Sequence, residues 1–376
     1  MAKTFKIGMM GAGVVADYGH LPAIRYIPGI ECHALFDPKA QRVETMRANH
    51  HVPNGFTDVD AFFASGLDAV AICSPAPTHR ANVELAAKHG LPILCEKPLS
   101  MDKAEGRAMI DACQTAGVPL VVGFCYRFAQ PAKTIKTLVD QGAIGDVRTL
   151  RLIYNWDCHG LYYRPDPRGR PGHWAIDPRR QGRMHEGGPL VDCGVHQIDL
   201  ALWWTGGDVV RSQGHGAWVD EYDAPDHVFF HMDLDTGAHV LVEMSFSYGH
   251  TTRDKFSEFV YELIGTDGMI RYDRNESFFE LRTHQETRRL EFDSEKNFAE
   301  MYRDFERLLR TGDAGDLCTA EQAERVTDLA RTATDRVIAD RALSPRRTSA
   351  KTPASGIPTA TSGATAISTT PQAGPL

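Results

Sequence analysis

The stretch Phe5–Ala16, FKIGMMGAGVVA, joins a strand-length apolar run to small residues spaced Gly11-x-Gly13-x-x-Ala16. Each has a physical task at that spacing. Gly11 permits a tight turn, Gly13 lets the backbone approach a pyrophosphate, and Ala16 allows close helix–strand packing. Val14 and Val15 open the helix whose N-terminal amides stabilise phosphate charge. The spacing alone is a weak signal, because glycine turns are common. Its setting is stronger: it follows a strand, opens a helix, and precedes Asp37 at the end of the next apolar run. A carboxylate there accepts hydrogen bonds from adenosine ribose hydroxyls and repels a 2′-phosphate. The stretch predicts a dinucleotide site with NAD as cofactor. NADP is less favoured, although Lys39 and Arg42 follow closely enough to hold a phosphate.

The pattern around this motif fixes its context. Apolar runs FKIGMM, IECHALF, DAVAIC, LPILCE and VPLVVGF alternate with helical patterns over 14–27, 40–49, 79–89 and 103–116. Continuous apolar strands separated by helices predict a doubly wound parallel sheet covered on both faces. This α/β Rossmann domain is assigned to residues 1–123. After it come a helix over 131–141, the strand RTLRLIYNW and a long loop over 157–183. Further strand-like segments, HVFFHMDL, AHVLVEMSF, SEFVYELIG, MIRYD and SFFELR, are joined by short turns. Strands linked by hairpins make a mainly antiparallel sheet, so residues 124–343 are read as an α+β domain for substrate binding and oligomerisation. Its last helical patterns, 295–310 and 320–339, include one expected to pack back on the Rossmann domain. Residues 344–376, rich in Ser, Thr, Ala, Pro and Gly, are expected to be a disordered tail.

Composition narrows the classes. A chain of 376 residues, 42% hydrophobic and 24% charged, suits two globular domains. A net charge of −8 without a Lys/Arg block argues against nucleic acid. No apolar run approaches the ~20 residues of a membrane helix, and the N-terminus reads as a strand instead of a secretory signal. Eight cysteines without a C-x-x-C pair, several inside apolar runs, point to reduced thiols and a cytoplasmic setting.

Candidate reactive residues cluster where strands end. Ser74, Pro75 and His79 follow the fourth strand, on the nicotinamide side of the crevice. His79 is read either as a cofactor contact or as part of the cap of the helix opened by Thr78. Glu96 and Lys97 end the fifth strand, and Pro98 restricts the backbone after them. A lysine there can donate to a reacting hydroxyl, and partial burial is expected to lower its pKa. Farther along, GGPLVDCGVHQID (187–199) sets Asp192 and His196 one helical turn apart, hence on one face. Gly187 and Gly188 are expected to let the backbone pass close to nicotinamide and substrate, and Asp199 to be structural.

Together the glycine loop, Asp37, Glu96-Lys97-Pro98, GFCYRF (123–128) and GGPLVDCGVHQID resemble the glucose–fructose oxidoreductase/inositol dehydrogenase (Gfo/Idh/MocA) family, over residues 4 to about 340. The resemblance implies a Rossmann domain followed by a domain on a large open sheet, NAD(P)-dependent oxidation of a secondary alcohol on a sugar, glycoside or cyclitol, and homodimers or homotetramers formed through that sheet. It implies Lys97 as the catalytic lysine, with Asp192 and His196 at the reacting hydroxyl. It also implies Glu96 and Arg127, the latter at the domain junction, as cofactor contacts and Tyr126 as a substrate contact, while Cys125 stands where members often have Asn.

Histidine suits proton removal near neutral pH, so His196 is read as general base, Lys97 as the cation on the same oxygen, and Asp192 as orienting substrate or histidine. Tyr154, Trp156 and His159 alternate towards the cleft as candidate substrate contacts. The following loop adds Tyr162, Tyr163, Arg164, His173, Trp174, Arg183 and His185. A metal set of Asp157, His159, His185, Asp192 and His196 is irregular in spacing and sits beside a lysine, so no metal is expected. An NAD-assisted glycosidase or lyase and a non-catalytic sugar sensor are the alternative functions.

Overall fold

The computed structural model describes residues 3–158, 162–164, 173–175, 178–219, 222–250, 252–293 and 296–343. The expected disordered tail, 344–376, and His159 lie outside the described residues, and of Trp174 only the strand is described.

The first sheet holds β1 (Phe5–Met10), β2 (Ile30–Phe36), β3 (Asn54–Phe56), β4 (Ala69–Ile72), β5 (Ile93–Cys95) and β6 (Leu120–Val122). These strands are parallel, in the order β6-β5-β4-β1-β2-β3. The reversal of order at β1 and β4 opens a crevice beyond their carboxyl ends. Strands of this kind are apolar throughout because helices cover both faces, and all four residues of β4 are buried.

The second sheet begins with β7 (Val147–Asn155). Tyr162–Arg164 (β8) and His173–Ala175 (β9) form a separate two-stranded ribbon, and β10 (Val209–Ala217), β11 (His227–Leu234), β12 (His239–Ser245), β13 (Glu258–Gly265), β14 (Gly268–Asp273), β15 (Phe278–Thr283) and β16 (Thr287–Arg289) complete the large sheet. Its order is β10-β11-β12-β7-β13-β14-β15-β16. All its pairs are antiparallel except β12–β7, because β7 enters the centre of the sheet from the first half of the chain. The segment read as one loop over 157–183 therefore carries β8 and β9, and the Pro178–His185 helix begins before it ends.

Late segments return to the first sheet. The Phe298–Thr311 helix buries Phe298, Met301, Tyr302 and Phe305 with Ile7, Met9 and Leu35. A short strand, β17 (Cys318–Thr319), adds antiparallel to β6. The Ala320–Leu343 helix then joins the two halves: Lys103 reaches Asp328 at 2.7 Å, and Ala333 and Val337 pack on β10. One apolar cluster runs from Ile72 and Val122 of the first sheet to Leu152 and Val242 of the second.

Candidate active site

The glycine loop is shaped as its spacing requires. Gly11 has φ +103°, and a side chain there would meet the Ser74 main-chain nitrogen at 2.7 Å, so only glycine lets β1 and β4 end side by side. A Cβ on Gly13 meets nothing within 4 Å: the loop borders open space of the kind a pyrophosphate needs. Val14, 43% exposed, sits at that mouth. Asp37 accepts from the Ala12 and Lys39 main-chain N–H groups at 3.1 and 2.9 Å, with Arg42 at 3.7 Å. These contacts fix the carboxylate beside the loop, and the residues present fit a dinucleotide. The helix beyond Val15 starts with a wide π-helical turn, Ala16–His20, and ends at Ile24, three residues short of the expected Ile27.

Behind the loop, His20 and Glu96 form a buried pair. The Glu96 carboxylate accepts from His20 Nε2 (2.9 Å) and from the Lys97 main-chain N–H (3.1 Å). His20 Nδ1 is hydrogen-bonded to the Tyr302 hydroxyl at 2.7 Å. Burial alone would raise the Glu96 pKa, but the His20 hydrogen bond and the charges of His20 and Lys97 outweigh it and the pKa falls. Glu96 thus anchors Lys97 from beneath. His79 braces the same loop: its Nδ1 lies 3.0 Å from the Pro98 carbonyl and its Nε2 2.8 Å from the Ser74 carbonyl. Both nitrogens are engaged by main chain, so His79 ties two loops together instead of contacting cofactor or capping the helix. Ser74 Oγ accepts from Thr78 and Asn82, and Pro75 is exposed beside it.

The two halves meet at Lys97. Its ammonium donates to Asp192 Oδ1 at 3.0 Å and to the Asp192 carbonyl at 2.8 Å. Arg183 Nε approaches Asp192 Oδ2 at 3.3 Å. The expected lowering of the Lys97 pKa does not occur. Desolvation acts in that direction, but the Asp192 charge outweighs it and the Lys97 pKa is raised, so Lys97 is a fixed cation. Burial likewise opposes the Asp192 charge, yet Lys97 and Arg183 hold its pKa well below the usual range. Asp192 orients Lys97 in this geometry, not the histidine.

Leu190–Gly194 is a π-helical turn that runs directly into the Val195–Thr205 helix, so Asp192 and His196 sit on two differently wound segments. Gly187 (φ +122°) and Gly188 (φ +73°) approach Val191 and the Pro225 carbonyl, so their lack of a side chain is required by packing within the chain.

His196 is 3% exposed and its Nδ1 has no hydrogen-bond partner among the described residues. Burial first, then the positive charges of Lys97 and Lys296, push its pKa well below the ordinary 6.5; the imidazole is neutral at pH 7. Tyr126 and Phe124 face it edge-on at 4.6 and 5.6 Å between ring centroids. Tyr154 stands 4.3 Å from Trp156, and Phe259 bridges Tyr126 and Tyr154 at 5.5 and 4.9 Å. An aromatic wall thus flanks the imidazole.

Other candidates are placed elsewhere. Arg127 is buried and forks onto Asp199 at 2.8 and 2.6 Å, with further bonds to the Asp316 carbonyl and Gln322. Its donors hold the helix junction instead of pointing at cofactor. His185 is 71% exposed and pairs with Asp223. Among the described residues no group of three or more His, Cys, Asp or Glu is arranged to hold a metal ion; Asp157 pairs with Lys255 at 3.0 Å. His20, Tyr302, Arg274 and Lys296 lie in no motif, so spacing alone could not single them out.

Comparison with known proteins agrees with this architecture. Residues 5–124 match the model described as "Oxidoreductase family, NAD-binding Rossmann fold", and residues 132–271 match the Gfo/Idh/MocA C-terminal domain. The chain belongs to the Gfo/Idh/MocA oxidoreductase family. It is an NAD-dependent dehydrogenase acting on CH–OH groups. A scyllo-inositol 2-dehydrogenase (NAD(+)) of Bacillus subtilis is 27% identical over 72% of this chain and 74% of its own. A D-glucoside 3-dehydrogenase of Escherichia coli is 26% identical over 64% and 70%. An Agrobacterium radiobacter oxidoreductase solved with NAD+, L-tartaric acid and magnesium shares the fold, with a TM-score of 0.76 at 20% identity over 90% of this chain and 97% of that one.

Proposed function

We propose that this chain oxidises a secondary alcohol of a sugar, glycoside or cyclitol, with His196 as proton acceptor, Lys97 as the cation on the reacting oxygen and Asp192 as the group that positions Lys97. The observation carrying this reading is the Lys97–Asp192 pair, formed across the two halves of the molecule beside a neutral, buried histidine. An ammonium has three donors. Asp192 takes two of them through its carboxylate and carbonyl, leaving one for a substrate oxygen. His196 takes the hydroxyl proton as the carbon–oxygen bond becomes a carbonyl, and the bound nicotinamide supplies the hydride acceptor. Lys97 stabilises the negative charge developing on that oxygen in a site largely removed from water. Tyr126, Tyr154 and Trp156 offer faces and edges suited to a carbon skeleton. The inositol and glucoside relatives support this substrate class.

Lys97→Met and His196→Ala are each expected to lower kcat by about 10²–10⁴-fold, the range of a lost acid–base or charge-stabilising group. NADH binding, followed by fluorescence, should stay close to that of the parent enzyme. Turnover retained in both variants refutes the assignment. Accumulation of NADH with product separates a dehydrogenase from a glycosidase that recycles its cofactor.

We further infer a homodimer or homotetramer built on the second sheet. The outward residues of β11, His227, Phe229, His231 and Asp233, are half-buried while the alternate ones are core. The free thiols, seven of them buried, support a cytoplasmic setting.

A further inference from the structure

Four cations lie in the region of the candidate active site, and among the described residues two of them have a carboxylate partner. Lys97 and Arg183 share Asp192. Lys296 is half-buried, with its ammonium 5.3 Å from the Tyr126 ring and 5.8 Å from the Tyr18 ring. Arg274, also half-buried, lies 4.0 Å over Phe259 and 5.5 Å over Tyr154. Neither Lys296 nor Arg274 forms an ion pair among the described residues. Aromatic faces attract a cation but do not neutralise it. The Tyr126 ring that Lys296 faces sets its edge against His196. Lys296 also reaches His196 itself, where its field works against protonation of the imidazole. Two partly desolvated cations beside one aromatic wall, without an ion-pair partner among the described residues, are electrostatically incomplete.

We propose that Lys296 and Arg274 form an anion subsite beside His196 and that the substrate is a sugar acid, a polyol bearing a carboxylate. This rests on the His196–Lys97 redox reading above and adds the charge of the substrate to it. A carboxylate suits the subsite better than a phosphate ester. Phosphate sites typically add converging backbone amides, often from a helix N-terminus. The Phe298–Thr311 helix starts next to Lys296, and its Asn297 cap already accepts from the Glu300 N–H, so fewer free amides are left there than a phosphate site typically uses. A carboxylate held by Lys296 and Arg274 would place the adjoining carbinol carbons along Tyr126, towards His196.

The test compares kcat/KM with NAD for aldonates and uronates against the neutral aldoses of the same configuration and against their phosphate esters, in the full-length enzyme. The sugar acids are expected to be preferred, with the preference falling as salt rises. Lys296→Gln should lower the acid-to-neutral selectivity ratio by about 10–100-fold, the worth of a hydrogen bond to a charged group. Lys296→Arg should restore the ratio, and Lys296→Glu should invert it. Preference for neutral sugars or for phosphate esters in the parent enzyme overturns the proposal. So does an equal fall for acid and neutral substrates in Lys296→Gln, or an effect confined to the KM of NAD. If neutral sugars are oxidised in a Lys97-dependent way and Lys296→Gln leaves the ratio where it was, the redox reading stands and the anion subsite falls. If no member of any set reduces NAD, the redox reading fails and takes the subsite with it.

Discussion

At the scale of single residues, the Lys97–Asp192–His196 group is a set of opposed charges whose signs fix a pH profile. His196 has a pKa well below 6.5, so its neutral, proton-accepting form persists as pH falls through neutrality, and the acid limb of kcat/KM lies below 6.5. Lys97 has a pKa raised above 10.5, so the ammonium persists throughout the accessible alkaline range. Asp192→Asn removes the largest of the charges that raise it, leaving Glu96 as a smaller one. Burial and the neighbouring Arg183 then act on Lys97 in the same, lowering direction. The variant should show an alkaline limb below 10.5 that the parent lacks, together with a lower kcat. A kcat/KM profile from about pH 6 to 11 measures this, bracketing the ordinary histidine and lysine ranges. An Asp192→Asn profile as flat as the parent's would show that Asp192 does not set the Lys97 charge.

At the scale of elements, the Val195–Thr205 helix carries His196 and is held at three points. Asp199 takes both guanidinium branches of Arg127, Trp204 Nε1 donates to the Ala132 carbonyl at 2.9 Å, and Gly206 closes the helix in the left-handed region. The Arg127–Asp199 pair is 4% and 1% exposed, so removing one partner strands a buried charge. Asp199→Ala should destabilise the protein by about 3–5 kcal/mol, read as a shift of the urea midpoint. Replacing both residues with leucine should recover much of that loss, which a purely local packing defect would not allow. Legibility in the sequence followed the same elements. The glycine loop, the apolar strands and the helix from Val195 were readable because their periodicity and end signals are local. The π-helical turn at Leu190–Gly194 was not, since nothing in the residue pattern marks one extra residue per turn. Strand β10 escaped for another reason: at Gly214 and Gly216 it meets Ala333 and Val337 so closely that side chains are excluded, and the alternation of apolar residues disappears. Lys296 and Arg274 were invisible because tertiary packing, not spacing, brings them to Tyr126.

At the scale of the molecule, the cofactor half is completed by the end of the chain. The parallel sheet ends in sequence near Gly123, yet one of its faces is covered by Phe298, Met301, Tyr302 and Phe305, all buried. Tyr302 also supplies the hydroxyl that holds His20 against Glu96, directly beneath Lys97. Burying a large apolar side chain contributes roughly 1.5–3 kcal/mol, so losing four removes about 6–12 kcal/mol. That is comparable with the whole stability of a typical domain, about 5–15 kcal/mol. The boundary of the nucleotide fold along the chain is therefore not a boundary of cooperativity. A fragment of residues 1–124 should lack a sharp thermal transition, bind a dye for exposed apolar surface, and fail to quench or enhance NADH fluorescence. Adding residues 296–343 as a separate peptide should restore part of the transition, because that segment brings both the covering helix and β17. The full chain should unfold in one step, with near- and far-ultraviolet circular dichroism coincident. A 1–124 fragment that melts sharply and binds NADH would mean that the late helices add to a nucleotide fold already complete, and would remove Tyr302 from the support of Lys97.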